Sequence, residues 1–81
     1  MISCNQYDYI EIVCMYRYPI TLHLKTGQHL ECTAIDTKRN NQKEECIEVS
    51  TNGRTLLVVL DDIAKLEVRV QNPHFEQVSF E

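Results

Sequence analysis

Few residues in this chain are of the types that do chemistry. Four cysteines (Cys4, Cys14, Cys32, Cys46) and three histidines (His23, His29, His74) are the potential soft ligands. No two cysteines form a Cys-x-x-Cys pair, and the histidines lack the spacing of a tetrahedral zinc site. Cys14, Cys32 and Cys46 stand where a small apolar residue would serve, so packing is their expected role. Asp61 and Asp62 are adjacent carboxylates. Neighbours on a strand or tight turn diverge, whereas acid–base catalysis needs two groups aimed at one substrate. The chain has no glycine-rich phosphate loop, nucleophile elbow or Cys–His pairing. No catalytic residue, metal or cofactor is expected.

Two charged clusters remain. Asp8 and Glu11 lie among Tyr7 and Tyr9. Carboxylates pair with the arginines and lysines that otherwise hold phosphates, and tyrosine is enriched at interface hot spots. The plainer account is a solvated helix face, with Asp8 favouring the positive end of the helix dipole. The second cluster, Lys38, Arg39 and Lys43 around Asn40, Asn41 and Gln42, holds three of the eight bases. It reads as a solvated loop or as a contact for an acidic partner or RNA.

The whole chain sets the bounds on these readings. Eighty-one residues are expected to form one domain spanning 1–81, with one compact core. Twelve acids against eight bases give a net charge of −4. That sign opposes a phosphate backbone and suits a basic protein partner. No apolar run approaches the roughly 18–20 residues that span a bilayer, and the N-terminus lacks the pattern of a signal peptide. A cytoplasmic protein with reduced thiols is expected; a disulfide framework is the competing reading of an even cysteine count.

Periodicity supplies the elements that would position the clusters. Ile20, Leu22 and Leu24 alternate with Thr21, His23 and Lys25, as in a strand. Thr26-Gly27 turns the chain, and Leu30, Cys32 and Ala34 resume the alternation, ending near Asp36. Residues 37–43 carry no aliphatic side chain and read as an exposed loop. Strand character returns at residues 45–51, with Ile47 and Val49 facing the core. Asn52-Gly53 then provides the strongest hairpin signal, because both positions tolerate positive φ. Residues 55–60 are apolar on both faces and are predicted to be the most buried strand. After a turn at Asp61-Asp62, Leu66, Val68 and Val70 alternate with Lys65, Glu67 and Arg69. Val78-Ser79-Phe80 is a candidate closing edge.

Local physics leaves residues 1–16 open. Asn5 with Asp8 resembles a capping box, which would set Tyr7, Ile10 and Cys14 on one helical face and Asp8, Glu11 and Met15 on another. Residues 9–13 equally have strand propensity. The rest predicts about five antiparallel strands in a small, strongly bent sheet closed into a barrel.

The segment Ile2-Ser3-Cys4-Asn5-Gln6-Tyr7-Asp8-Tyr9-Ile10-Glu11-Ile12-Val13-Cys14 resembles the opening of the Rof (YaeO-like) family of Rho-binding antiterminators. Its pattern is Cys4, Tyr7-Asp8, Ile10-Glu11-Ile12 and Cys14, continued in residues 21–27, Asp36, Gly53, Leu60-Asp61 and Ile63. The resemblance implies an α+β, mostly β fold. In it an N-terminal helix (region 1–16) packs on a bent five- or six-stranded antiparallel Sm-like barrel (18–80). It also implies binding to the N-terminal primary RNA-binding domain of the hexameric Rho helicase, which would block RNA access and suppress termination. By the same match, Tyr7, Asp8 and Glu11 are the expected partner-binding residues, with Lys38, Arg39 and Asn40 as a second contact region.

The competing reading is a small Sm-like RNA-binding protein. Against it, residues 59–63 carry acids where an RNA binder would prefer Arg-Gly, and the charged last strand discourages ring assembly. No direct nucleic-acid binding and a free monomer are therefore expected. An adaptor for another basic protein would share the same surface chemistry.

Overall fold

The computed structural model describes residues 3–80; Met1, Ile2 and Glu81, and so the start of the expected helix region, lie outside the described residues. A helix α1 (Cys4–Met15) is followed by strands β1 (Pro19–Leu24), β2 (His29–Arg39), β3 (Glu45–Thr51), β4 (Arg54–Val59), β5 (Ile63–Val68) and β6 (Gln77–Ser79). All the pairings are antiparallel, in the order β4-β3-β2-β1-β5-β6.

Of the first sixteen residues, those described resolve in favour of helix, Cys4–Met15. The cap is Ser3 rather than Asn5: its hydroxyl accepts from the Gln6 N–H, and the Gln6 side chain accepts from the Ser3 N–H at 2.8 Å. A reciprocal pair of this kind satisfies two otherwise orphaned donors and outcompetes a lone Asn. Ile10, Val13 and Cys14 are buried, and α1 packs mainly on β2. Its flank is tied to the last strand region, with Gln6 Nε2 donating to the Ser79 carbonyl and Tyr9 edge-on to Phe75 at 4.7 Å.

The sheet must curl. Val59 and Ile63 are four residues apart, a reach of at most ~14 Å. In the strand order, β4 and β5 are separated by four ladder spacings, roughly 19 Å in a flat sheet. A single 3-10 turn, Leu60–Asp62, joins them. Its Asp62 carbonyl also accepts from Lys25 N–H at 2.9 Å, pinning the connection to the end of β1. A register break between Ala34 and Asp36 bends β2 at the same time. The result is a barrel-like curl whose hydrogen-bonded ladder ends at β4 and β6.

Ile20, Leu22, Cys32, Ala34, Ile47, Val49, Ile63 and Leu66 fill the interior with the buried helix face. The alternations around Ile20 and Ile47 thus point as predicted. Asn52 and Gly53 both have positive φ, 52° and 77°, and close the β3–β4 hairpin. Two expectations change. β2 continues through Arg39, so the loop shrinks to residues 40–44; polar side chains sit comfortably on a strand whose outer face is solvated. And β4 is an edge strand with Leu56 and Leu57 37% and 40% exposed; only Val58 of its residues is buried.

Truncation should expose this difference. Leu22→Ala is expected to cost about 2–5 kcal/mol in urea denaturation, and Leu57→Ala well under half as much; equal losses would contradict the edge position of β4. The four cysteines are free, with Cys4 exposed and the others buried. Burial pushes the Cys14 and Cys32 thiols up to about 12 and about 11, and raises Cys46 as well. Ellman's reagent at about pH 8 is therefore expected to titrate Cys4 alone in the native protein and the remaining thiols only after unfolding.

Candidate partner-binding surface

The rotation of α1 decides what this surface offers. With Ile10, Val13 and Cys14 turned inward, Cys4, Asp8, Glu11 and Met15 form an exposed stripe along the helix. Asp8 lies in the second turn, and no acid occupies the first. Its expected role at the positive end of the dipole, an effect confined to the first turn, therefore lapses. Neither Asp8 nor Glu11 makes an ion pair among the described residues. Tyr7 is half-buried: its ring packs against the core, and it borders a shallow depression shared with Ser3, Cys4, Asp8 and Glu45.

Glu45 is the hinge between the two predicted clusters. It begins β3, sits opposite Arg39 in the ladder, and its carboxylate lies 3.7 Å from the Arg39 guanidinium. Tyr7 and Asp8 on the helix thereby share a depression with the residue that pairs with Arg39 at the end of β2. Lys38 turns to Glu48, at 3.4 Å. Both pairs are largely exposed on the basic side, and such pairs contribute only about 0–1 kcal/mol, so each base can change partner at little cost.

Asn40, the third residue of the expected second contact region, is also engaged within its own loop. Its side-chain oxygen accepts from the N–H groups of Gln42 and Glu44, at 3.0 and 2.9 Å, and its amide nitrogen donates to the Glu44 carboxylate at 2.9 Å. It organises the turn that returns β2 into β3, with Lys43 at φ 65°. Asn40 thus sets the loop's shape and, through it, the positions of Arg39 and Glu45.

Glu45 was missed in the sequence, where it reads as one more polar residue opening a strand; the pairing of β2 with β3 is the signal that would have placed it beside Arg39. Asp36 was matched to the family pattern but given no role. It lines a second depression with Glu11, Met15, Arg17 and Thr37. Burial dominates the raised pKa of the Cys14 thiol beneath, and the negative charges of Asp36 and Glu11 push it further in the same direction. The helix stripe and the adjoining edge of β2 thus form an acidic surface. Among the described residues no group of three or more His, Cys, Asp or Glu side chains is placed to hold a metal, and no helix is long and apolar enough to cross a membrane.

Comparison with known proteins gives this surface a context. Residues 1–80 match the family described as modulator of Rho-dependent transcription termination (ROF). Protein rof of Escherichia coli (strain K12) and of Shigella flexneri are each 34% identical over 62 residues, which is 76% of this chain and 73% of theirs. The structure of YaeO bound to magnesium from Vibrio cholerae O395 superposes with a TM-score of 0.88 at 38% identity, covering 94% of this chain and 99% of that one. That description is of a transcription modulator and not of an enzyme. The chain belongs to the ROF family of modulators of Rho-dependent transcription termination.

Proposed function

We propose that this protein inhibits Rho-dependent termination by binding the N-terminal primary RNA-binding domain of Rho and excluding the transcript. It acts in the cytoplasm by contact alone, without catalysis or cofactor, as one domain that is monomeric when dilute. The observation that carries the reading is the exposed stripe of α1. It presents Asp8 and Glu11, unpaired among the described residues, next to the half-buried ring of Tyr7. A site that binds RNA holds backbone with bases and stacks nucleobases in a cleft. An acidic helix with an aromatic shoulder offers the same two kinds of contact. Lys38 and Arg39 at the end of β2 reach acidic groups at the rim of that site, and Asn40 holds them in place.

Full-length protein added to the Rho hexamer is expected to lower its affinity for a fluorescent oligo-cytidine, while showing no affinity for the probe itself. Tight binding of the probe by the protein alone would favour an RNA-binding module. Reversing both acids, Asp8→Lys with Glu11→Lys, removes charge-assisted contacts worth about 2–5 kcal/mol when desolvated. Inhibition should weaken at least about 30-fold with the circular dichroism spectrum unchanged. A folded double variant that inhibits as well as the parent moves the interface elsewhere. Cys4 gives an independent reading. Rho should protect it from maleimide, and a bulky adduct there should block binding.

A further inference from the structure

The outer edge of β4 stands apart from the surface described above. Among the described residues no strand pairs with it. Its six residues run beside β3 without a register break; they contain no proline or bulge, and of the charged side chains that usually guard an edge they carry one, Arg54 at the start. The two-residue turn makes Thr51 and Arg54 a hydrogen-bonded pair. The main-chain groups of Thr55, Leu57 and Val59 therefore point away from β3. Leu56 and Leu57, the centre of this edge, are both exposed.

We infer that β4 pairs antiparallel with β4 of a second copy of this chain about a two-fold axis at Leu57. This register sets Leu57 against its mate, Thr55 opposite Val59, and Leu56 opposite Val58. It forms about six main-chain hydrogen bonds. Charge decides for self-pairing. Arg54, which makes no ion pair among the described residues, opens the strand, while Asp61 and Asp62 follow its end. Antiparallel pairing carries each Arg54 alongside the other copy's Leu60–Asp62 turn. A head-to-tail ring would use β6 instead, and its three residues offer too short a ladder. The charged last strands that argue against assembly lie at the opposite end of the sheet order. One strand pair buries little area, so the dimer forms at high concentration and dissociates on dilution.

Sedimentation of the full chain from about 10 µM to about 1 mM should show the mean mass rising from 9.5 kDa toward twice that value. Over the same range, amide exchange at Thr55, Leu57 and Val59 should slow. Leu57→Lys is expected to hold the mass at one chain while keeping the native circular dichroism spectrum. Arg54→Asp and Asp62→Arg should each fail to associate alone yet pair when mixed, because the mixture restores both contacts; this arm stands even if Leu57→Lys folds poorly. A constant mass across the range overturns the inference, as does undiminished association of a folded Leu57→Lys variant. Protection of these amides only on addition of Rho would assign the edge to Rho and equally overturn self-pairing. Binding to Rho is measured separately, through α1, so either reading can fail alone.

Discussion

The packing of α1 on β2 is the contact on which the rest of this molecule depends. Ile10 and Val13 are fully buried against the sheet, and a helix anchored at those two points has one rotation available. Residues three or four apart share a face, so burying Ile10, Val13 and Cys14 forces Cys4, Asp8, Glu11 and Met15 outward. The acidic stripe is therefore the necessary complement of the core rather than an independent decoration. It is also rigid, since it rides on a capped helix and not on a loop. A rigid, preorganised face loses little entropy on binding, which suits the proposed competition with a long, multiply anchored nucleic acid.

Curling of the sheet is the second constraint, and it brings distant parts of the chain together. The short link from β4 to β5 works only if the ends of the order approach one another. The break at Ile35 in β2 absorbs part of that bend. Curvature turns the β2–β3 end toward the start of α1, so that Glu45 shares a depression with Tyr7 and Asp8. Residues nearly forty positions apart in the chain become one surface through main-chain geometry.

This division explains what could be read from the residues alone. Alternation around Ile20-Thr21-Leu22 and the Asn52-Gly53 turn are local signals, and both survive intact in the fold. The choice of Ser3 over Asn5 as cap was also written locally, in the Ser-x-x-Gln spacing, but the more familiar carboxylate at Asp8 masked it. β4 is the instructive failure. Apolar residues on both faces ordinarily mark a central strand, yet strand order is a long-range property, and here the apolar run lies at an end of the sheet. Asn40 shows the same limit within the candidate surface. Its identity is compatible with contact and with loop-making, and the loop-making role becomes visible only with the positions of Gln42 and Glu44.

The basic residues at the end of β2 raise an electrostatic problem for the proposed mode, because a site that holds phosphate repels cations. Glu45 and Glu48 resolve it. Each lies within ion-pairing distance of one base, Arg39 or Lys38, so this corner carries little net positive charge while the helix beside it stays negative. The field that an approaching basic domain meets is then set by Asp8, Glu11 and Asp36, and steering follows their sign. After contact, the exposed pairs exchange at little cost. Arg39 can then leave Glu45 for an acidic group on the partner, freeing a further carboxylate at the edge of the Tyr7 depression. On this account the acids govern approach and the bases adjust the fit, which is why both kinds of residue occur on a surface directed at a single partner.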